Sequence, residues 1–160
     1  MCGIAGLVSR RISPGQEIMA VVRRMADRLK HRGPDDEGAW SDSEAGVALA
    51  HRRLSILDLS SAGHQPMVST SGRYVMVFNG EIYNHVEMRR ELGEAKWRGN
   101  SDTETLLAAM EAWGIEKTLQ AAVGMFAFAI WDRVERQLTL VRDRLGEKPL
   151  YYGWCGETFL

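Results

Sequence analysis

The chain opens on an unbroken apolar run, Cys2-Gly3-Ile4-Ala5-Gly6-Leu7-Val8, which predicts a short buried strand with glycines where other backbone comes close. Position 2 falls at the tip of that strand. Ser13-Pro14-Gly15-Gln16 then has the pattern of an N-cap, a proline at the first helical position and a glutamine three residues on. Ile18, Val22, Met25 and Leu29 follow along one face, which predicts an amphipathic helix ending before Gly33-Pro34. Beyond it the period shortens. Gly38-Ala39-Trp40, Val47-Ala48-Leu49-Ala50 and, after a polar loop at 60–63, Arg73 to Phe78 read as strands, and Asn79-Gly80 reads as a turn closing the last of them.

The helical period returns at Asn84-His85-Val86-Glu87, a capping arrangement with Met88 and Leu92 behind it. Ser101-Asp102-Thr103-Glu104 fits a capping box, with Ser101 accepting from a first-turn amide and Glu104 reaching back, and leads into Leu106, Leu107, Met110 and Trp113. A shorter helix continues through Leu119. Met125 to Trp131, Gln137 to Arg142 and Pro149 to Trp154 read as strands. Strands cluster instead of alternating with helices, so the expected class is α+β.

Composition narrows the function classes. With 160 residues, 45% of them hydrophobic, the chain has the size and apolar content of one domain with its own core. Lys plus Arg total 20 against 21 Asp plus Glu, a net charge of −1, which argues against a nucleic-acid partner. The longest apolar stretch, Gly124 to Trp131, is too short for a bilayer, and the N-terminus lacks a signal pattern; the expectation is a cytoplasmic protein with no membrane partner. Cys2 and Cys155 are expected as free thiols. His31, His51, His64 and His85 are scattered without the paired spacing of a metal site, so structural or loop-bonding roles are expected and no metal.

Candidate chemistry gathers in a few stretches. In Met1-Cys2-Gly3 the small second residue favours removal of Met1, leaving a cysteine with both a thiol and a free α-amine. Such amines ordinarily titrate at about pH 8 and thiols slightly higher, so near neutrality the amine can take the thiol proton, directly or through water. In Phe78-Asn79-Gly80-Glu81-Ile82-Tyr83-Asn84, the Asn79 carboxamide and the Gly80 N–H are two donors of the kind a developing oxyanion needs. In Leu49 to Asp58 an arginine pair interrupts an apolar strand. Arg52 reads as an exposed edge residue, whereas the planar fork of Arg53 suits a substrate carboxylate. Glu104 is explained by the capping box. Asp102, at the first helical position, is favoured as the anion and suits an α-ammonium group.

With these stretches in view, the sequence closely resembles the glutaminase domain of asparagine synthetases, which are class II glutamine amidotransferases and so N-terminal-nucleophile hydrolases. The resemblance runs through nearly the whole chain, in Met1 to Gly6, His31-Arg32-Gly33-Pro34-Asp35, Arg53-Leu54-Ser55-Ile56, Gly63-His64-Gln65-Pro66, Asn79 to Asn84, Ser101 to Glu104, Gly124 to Phe128, Arg142 to Gly146 and Lys148 to Tyr152. It implies a four-layer αββα sandwich in which Cys2 attacks the side-chain amide of glutamine and releases ammonia through a glutamyl thioester. It further implies that Asn79 and Gly80 form the oxyanion hole, that Arg53 holds the substrate carboxylate, and that Leu54, Ser55, Ile56 and Leu57 line the pocket through backbone groups. Glu81 and Asp102 would receive the α-ammonium, and the loop from His31 to Asp35 would be a flap near the pocket.

The family's second, ATP-using domain carries a Ser-Gly-Gly-x-Asp-Ser loop, and that run does not occur here. No cofactor is therefore expected in this domain, ATP and magnesium belonging to a synthetase domain or subunit that would accept the ammonia. The family pattern would continue beyond Gly156 to Leu160 into a further strand and helix, so the end reads as a truncation. Two other readings stay open: a catalytically silent, regulatory module docking on a synthetase subunit, and the same hydrolase fold acting on another amide.

Overall fold

The computed structural model describes residues 1–9, 16–56, 58, 60–93 and 96–160, with the side chains of 16 and 17 outside that description. Its elements are β1 (Gly3–Ser9), α1 (Gln16–Asp27), β2 (Asp36–Asp42), β3 (Val47–Arg53), β4 (Met67–Val68), β5 (Tyr74–Ile82), α2 (His85–Leu92), α3 (Asp102–Trp113), α4 (Ile115–Ala121), β6 (Gly124–Asp132), β7 (Gln137–Arg142), β8 (Trp154–Cys155) and β9 (Thr158–Phe159). They form a five-stranded sheet, β2-β3-β1-β9-β8, and a four-stranded sheet, β4-β5-β6-β7. This mixture of clustered strands and helices is the expected α+β class. The expected cap at Ser13, Pro14 and Gly15 lies outside the described residues.

Side chains alternate across each strand, and β3 and β5 use both faces. Val47 and Leu49 of β3 meet Val75 and Val77 of β5, with Ala129 and Trp131 of β6, in a core between the two sheets. On the opposite face of β3, Ala48 and Ala50 pack with Leu7 against Ile18 and Val22 of α1. On the opposite face of β5, Met76 and Phe78 pack with Phe128 and Ile130 against Leu106, Leu107 and Met110 of α3. Strands covered on both sides read in sequence as nearly continuous apolar runs.

Several expectations are corrected. Asn79-Gly80 is not a turn: β5 runs on to Ile82, with Asn79 opposite Ala127 and Gly80 opposite Phe126. Glycine serves close approach here, because a Cβ at Gly80 would sit 2.6 Å from Phe126 Cα. Arg52 is not on an exposed edge. Strand β3 has β2 on one side and β1 on the other, and Arg52 is buried, its guanidinium paired with Asp27 and Glu37 and its Nε donating to Ala26 O at 3.3 Å. α1 ends at Asp27, and a 3-10 turn at Lys30–Arg32 follows. Pro149 to Gly153 have no strand, which is confined to Trp154–Cys155.

The caps are half as expected. Ser101 Oγ accepts from Glu104 N at 3.2 Å, but the Glu104 carboxylate takes the amides of Arg98 and Gly99, at 2.7 and 3.0 Å, instead of reaching back to Ser101. Asn84 does not cap α2. Its Nδ2 donates to Ala121 O (3.0 Å) and its Oδ1 accepts from Val123 N (2.9 Å), clasping the junction of α4 with β6. Among the described residues no helix is long and apolar enough to cross a membrane.

Arg52 is the cation on which α1, β2 and β3 converge, and its carboxylate partners are largely exposed while it is not. Arg52→Ala is expected to lower stability by about 1–2 kcal/mol through lost packing and hydrogen bonds. Asp27→Ala is expected to cost less than about 1 kcal/mol, as an exposed partner does. Urea midpoints of the two variants check the ordering.

Candidate functional site

The ends of β1 and β3 meet at the thiol. Leu54, which follows β3, brings its N–H to 3.4 Å from Cys2 Sγ, and Leu54 O lies 3.7 Å from the same sulfur. Arg32 Nε donates to Cys2 O at 3.1 Å. The segment from His31 to Asp35 lies along the end of β3: Gly33 packs on the Arg52 and Arg53 backbone too closely for a Cβ, Asp35 N donates to Arg53 O (3.0 Å) and Asp35 Oδ2 accepts from Ser55 N (2.8 Å). This segment is bonded to the strand that flanks the thiol.

A cavity of about 130 Å³ opens beside Cys2 and brings together Arg53, Leu54, Ile56, Asn79, Gly80, Glu81 and Asp102 from separate stretches of sequence. Ser55 is not among its lining residues, its amide being held by Asp35, and Leu57 lies outside the described residues. Unforeseen members of the lining include Asp58, Gln65, Thr103, Met125 and Lys148, and Met1 closes one side. Lys148 is buried and its Nζ contacts Met1 Sδ at 3.5 Å. Gln65 and Lys148 both stand in motifs of the family resemblance, and that membership is the signal that could have marked them.

The donor strand is held from several directions. Gln65 Oε1 accepts from Phe78 N (2.7 Å), while Gln65 Nε2 donates to Thr103 Oγ1 (3.3 Å). His51 Nε2 lies 3.0 Å from Phe78 O. In an antiparallel ladder alternate residues direct both backbone polar groups to the same side. Phe78 N turns to Gln65 and Ile82 N to Asp102 Oδ2 (2.9 Å), so the Gly80 N–H between them points away from β6, toward the cavity that Gly80 lines. Asn79 is buried, and among the described residues its carboxamide makes no hydrogen bond.

The charged groups divide by what holds them. Arg53 donates through Nη2 to Asp58 O and through Nη1 to Ser60 O (3.1 Å), and Gly63 leaves room for the guanidinium where a Cβ would overlap it. Its fork is thus partly engaged by loop carbonyls, N–H groups remain beyond those two bonds, and the residue lines the cavity. Asp58 anchors that loop, its carboxylate accepting from Ser60 Oγ, Ser60 N and Asn100 N at 2.6, 2.9 and 2.8 Å. The Ser60 hydroxyl first, and then the Asn100 amide, hold the Asp58 carboxyl below its usual pKa range.

Asp102 behaves oppositely to the expectation that its helix terminus favours the anion. Burial pushes its carboxyl above the usual range, against the opposing pull of the Ile82 and Thr103 amides. A cation entering the cavity would favour the anion. Glu81, half-buried on the same wall, has no hydrogen bond or ion pair from its side chain among the described residues. Among those residues no group of three or more His, Cys, Asp or Glu side chains converges as a metal site requires.

Comparison with known proteins places the sequence in a family. Along residues 1–160 the sequence matches the family described as glutamine amidotransferase domain. It is 42% identical over 153 residues to glutamine-hydrolyzing asparagine synthetase 2 of Bacillus subtilis, covering 95% of this chain and 20% of that protein. It is 39% identical to asparagine synthetase 3 of the same organism, covering 100% and 26%, and 36% identical to the amidase chry2 of Gibberella zeae, covering 95% and 24%. The chain spans between a fifth and about a quarter of the length of these curated relatives.

Burial lowers the pKa of His51 from 6.5 to about 4, overriding the Phe78 carbonyl that favours the charged ring. Between those values the unfolded chain binds a proton here that the folded one does not, so stability is full above pH 6.5 and falls as pH drops toward 4. The loss attributable to this residue is roughly 3 kcal/mol at about 1.4 kcal/mol per pH unit. Urea unfolding at pH 7 and pH 4.5 is expected to show it, and His51→Gln is expected to flatten that part of the curve.

Proposed function

Because the chain belongs to the glutamine amidotransferase domain family, we propose that it hydrolyses the side-chain amide of glutamine with Cys2 as an N-terminal nucleophile, on the four-layer sandwich of such hydrolases. The observation that carries this reading is the convergence of Cys2, Asn79, Gly80, Arg53 and Asp102 on one cavity.

In this reading Met1 is removed and the exposed α-amine of Cys2 takes the thiol proton, directly or through water. The thiolate attacks the amide carbon, and the oxyanion is met by the Asn79 carboxamide and the Gly80 N–H. Collapse returns the proton to the leaving nitrogen and releases ammonia, and the glutamyl thioester is hydrolysed by a water activated by the same amine. The remaining N–H groups of Arg53 take the substrate carboxylate. Glu81 and Asp102 receive the α-ammonium, whose charge favours the anionic form of Asp102. Leu54 and Ile56 form the neighbouring wall, with Ser55 and Leu57 in the same stretch.

The ammonia is supplied, in this proposal, to an asparagine-synthetase-type amidation carried out by a synthetase domain or subunit. ATP and magnesium serve that partner, and the glutaminase domain itself needs no cofactor. Relatives that share this domain under the names asparagine synthetase and amidase are consistent with an acceptor chosen outside it.

Glutamate release from glutamine tests the reading. Protein lacking Met1, verified by intact mass, is expected to turn over; Cys2→Ala and a form that keeps Met1 are expected to lose activity by at least about a thousandfold. Equal release by Cys2→Ala would remove Cys2 as nucleophile, and activity in the Met1-retaining form would remove the α-amine as base. Arg53→Ala is expected to raise KM by about ten- to a hundredfold, the equivalent of one charge-assisted hydrogen-bonded contact, with a smaller change in kcat.

A further inference from the structure

His51 is fully buried, in the part of β3 that leads directly to Arg53 and to Leu54, whose amide holds the Cys2 sulfur. Its ring crosses to the other sheet, with Nε2 at 3.0 Å from Phe78 O, the carbonyl immediately before Asn79. Among the described residues no other hydrogen bond joins a strand of one sheet to a strand of the other. The neighbouring inter-sheet contacts, Val47 and Leu49 against Val75 and Val77, are apolar and non-directional; they set a separation but resist sliding only weakly. A hydrogen bond is directional and fixes the offset as well.

The ring is committed to this one bond. A carbonyl can only accept, so a neutral imidazole here carries its proton on Nε2 and donates. Nδ1 is then an acceptor, buried and without a partner among the described residues. An unsatisfied buried acceptor is a cost that a leucine of similar size would avoid, so filling space does not account for an imidazole at this position.

We propose that His51 is a positioning residue: through Phe78 it fixes the Asn79 and Gly80 donors on one sheet relative to the Cys2 thiol on the other. The inference rests on the reading of Cys2 as nucleophile and of Asn79 and Gly80 as oxyanion donors. His51 touches neither substrate nor reacting atoms. It acts on the transition state, where the donor-to-carbonyl geometry matters, and leaves ground-state binding by Arg53 and Asp102 untouched.

The test compares His51→Leu, His51→Asn and His51→Gln with the unmodified protein, all lacking Met1. Glutamate release is normalised to the fraction of Cys2 that a glutamine-analogue alkylating agent labels, counted by intact mass. His51→Leu and His51→Asn are expected to lower kcat by about ten- to a hundredfold with KM within about twofold, the pattern of a misplaced donor. His51→Gln, whose amide nitrogen reaches close to the Nε2 position, is expected to stay within about threefold of the unmodified protein. Where His51→Leu does not fold, the Gln and Asn pair decides. The proposal is overturned if the variants match the unmodified protein per labelled site, if Gln is as slow as Asn, or if the effect falls on KM alone. No turnover by the unmodified protein would instead overturn the glutaminase reading itself, and with it this inference.

Discussion

The proposed nucleophile and its oxyanion donors stand on different sheets, so everything at the cavity depends on the apolar layer between those sheets. Val47 and Leu49 on one side and Val75, Val77, Ala129 and Trp131 on the other hold the two apart, and the strand ends beside Cys2 and Leu54 and the part of β5 that carries Asn79 inherit their separation from that contact. Burial on the second faces, by α1 beneath Ala48 and Ala50 and by α3 beneath Met76 and Phe78, fixes each sheet from outside. Layers packed on both sides leave the central strands little freedom, as close-packed interiors do. A reaction needing several groups within hydrogen-bond reach of one small carbonyl is well served by such a scaffold.

Around the cavity, charge is held mostly by backbone. Arg53 is fixed by the carbonyls of Asp58 and Ser60, Asp58 by the amides of Ser60 and Asn100, Asp102 by the amides of Ile82 and Thr103, and Asp143 by the amides of Phe126, Glu147 and Lys148. Backbone dipoles move little and lose no rotamer freedom when they bind, so they are suited to orienting groups that a ligand must find already in place. The Asn79 carboxamide and the Glu81 carboxylate, which are not held in this way, are assigned in the proposed reading to the oxyanion and to the α-ammonium.

Much of this was legible in the sequence, for identifiable reasons. The capping signal at Ser101 and the apolar periodicities of β5, α3 and β6 are local, and they appear in the structure with small changes at their ends. Cys2, Arg53, Asn79, Gly80, Glu81 and Asp102 were legible because each stands in a motif that repeats a family pattern, and the structure gathers them around one cavity. Three of the misses are non-local. Asn79-Gly80 has turn chemistry, and only the approach of Phe126 explains why a strand needs glycine there. Arg52 looks like an edge residue until Asp27 and Glu37 arrive from α1 and β2. Asn84 has the composition of a helix cap, while its carboxamide is taken by residues nearly forty positions away in the chain. Nothing in a linear sequence reports a partner supplied by a distant element.

That clasp has a consequence for how such a domain can change. Asn84 grips Ala121 and Val123, and Tyr83 N donates to Val123 O at 2.8 Å, so the chain leaves β5 and re-enters β6 at the same stitched point. The excursion between them, with α2, α3 and α4, is a loop closed at its base. Residues gained or lost in the connections of that excursion lengthen or shorten it without shifting β5 against β6. Length changes in that excursion therefore reach the cavity through Asn100 and Asp102, which it carries, and not through the register of β5 against β6.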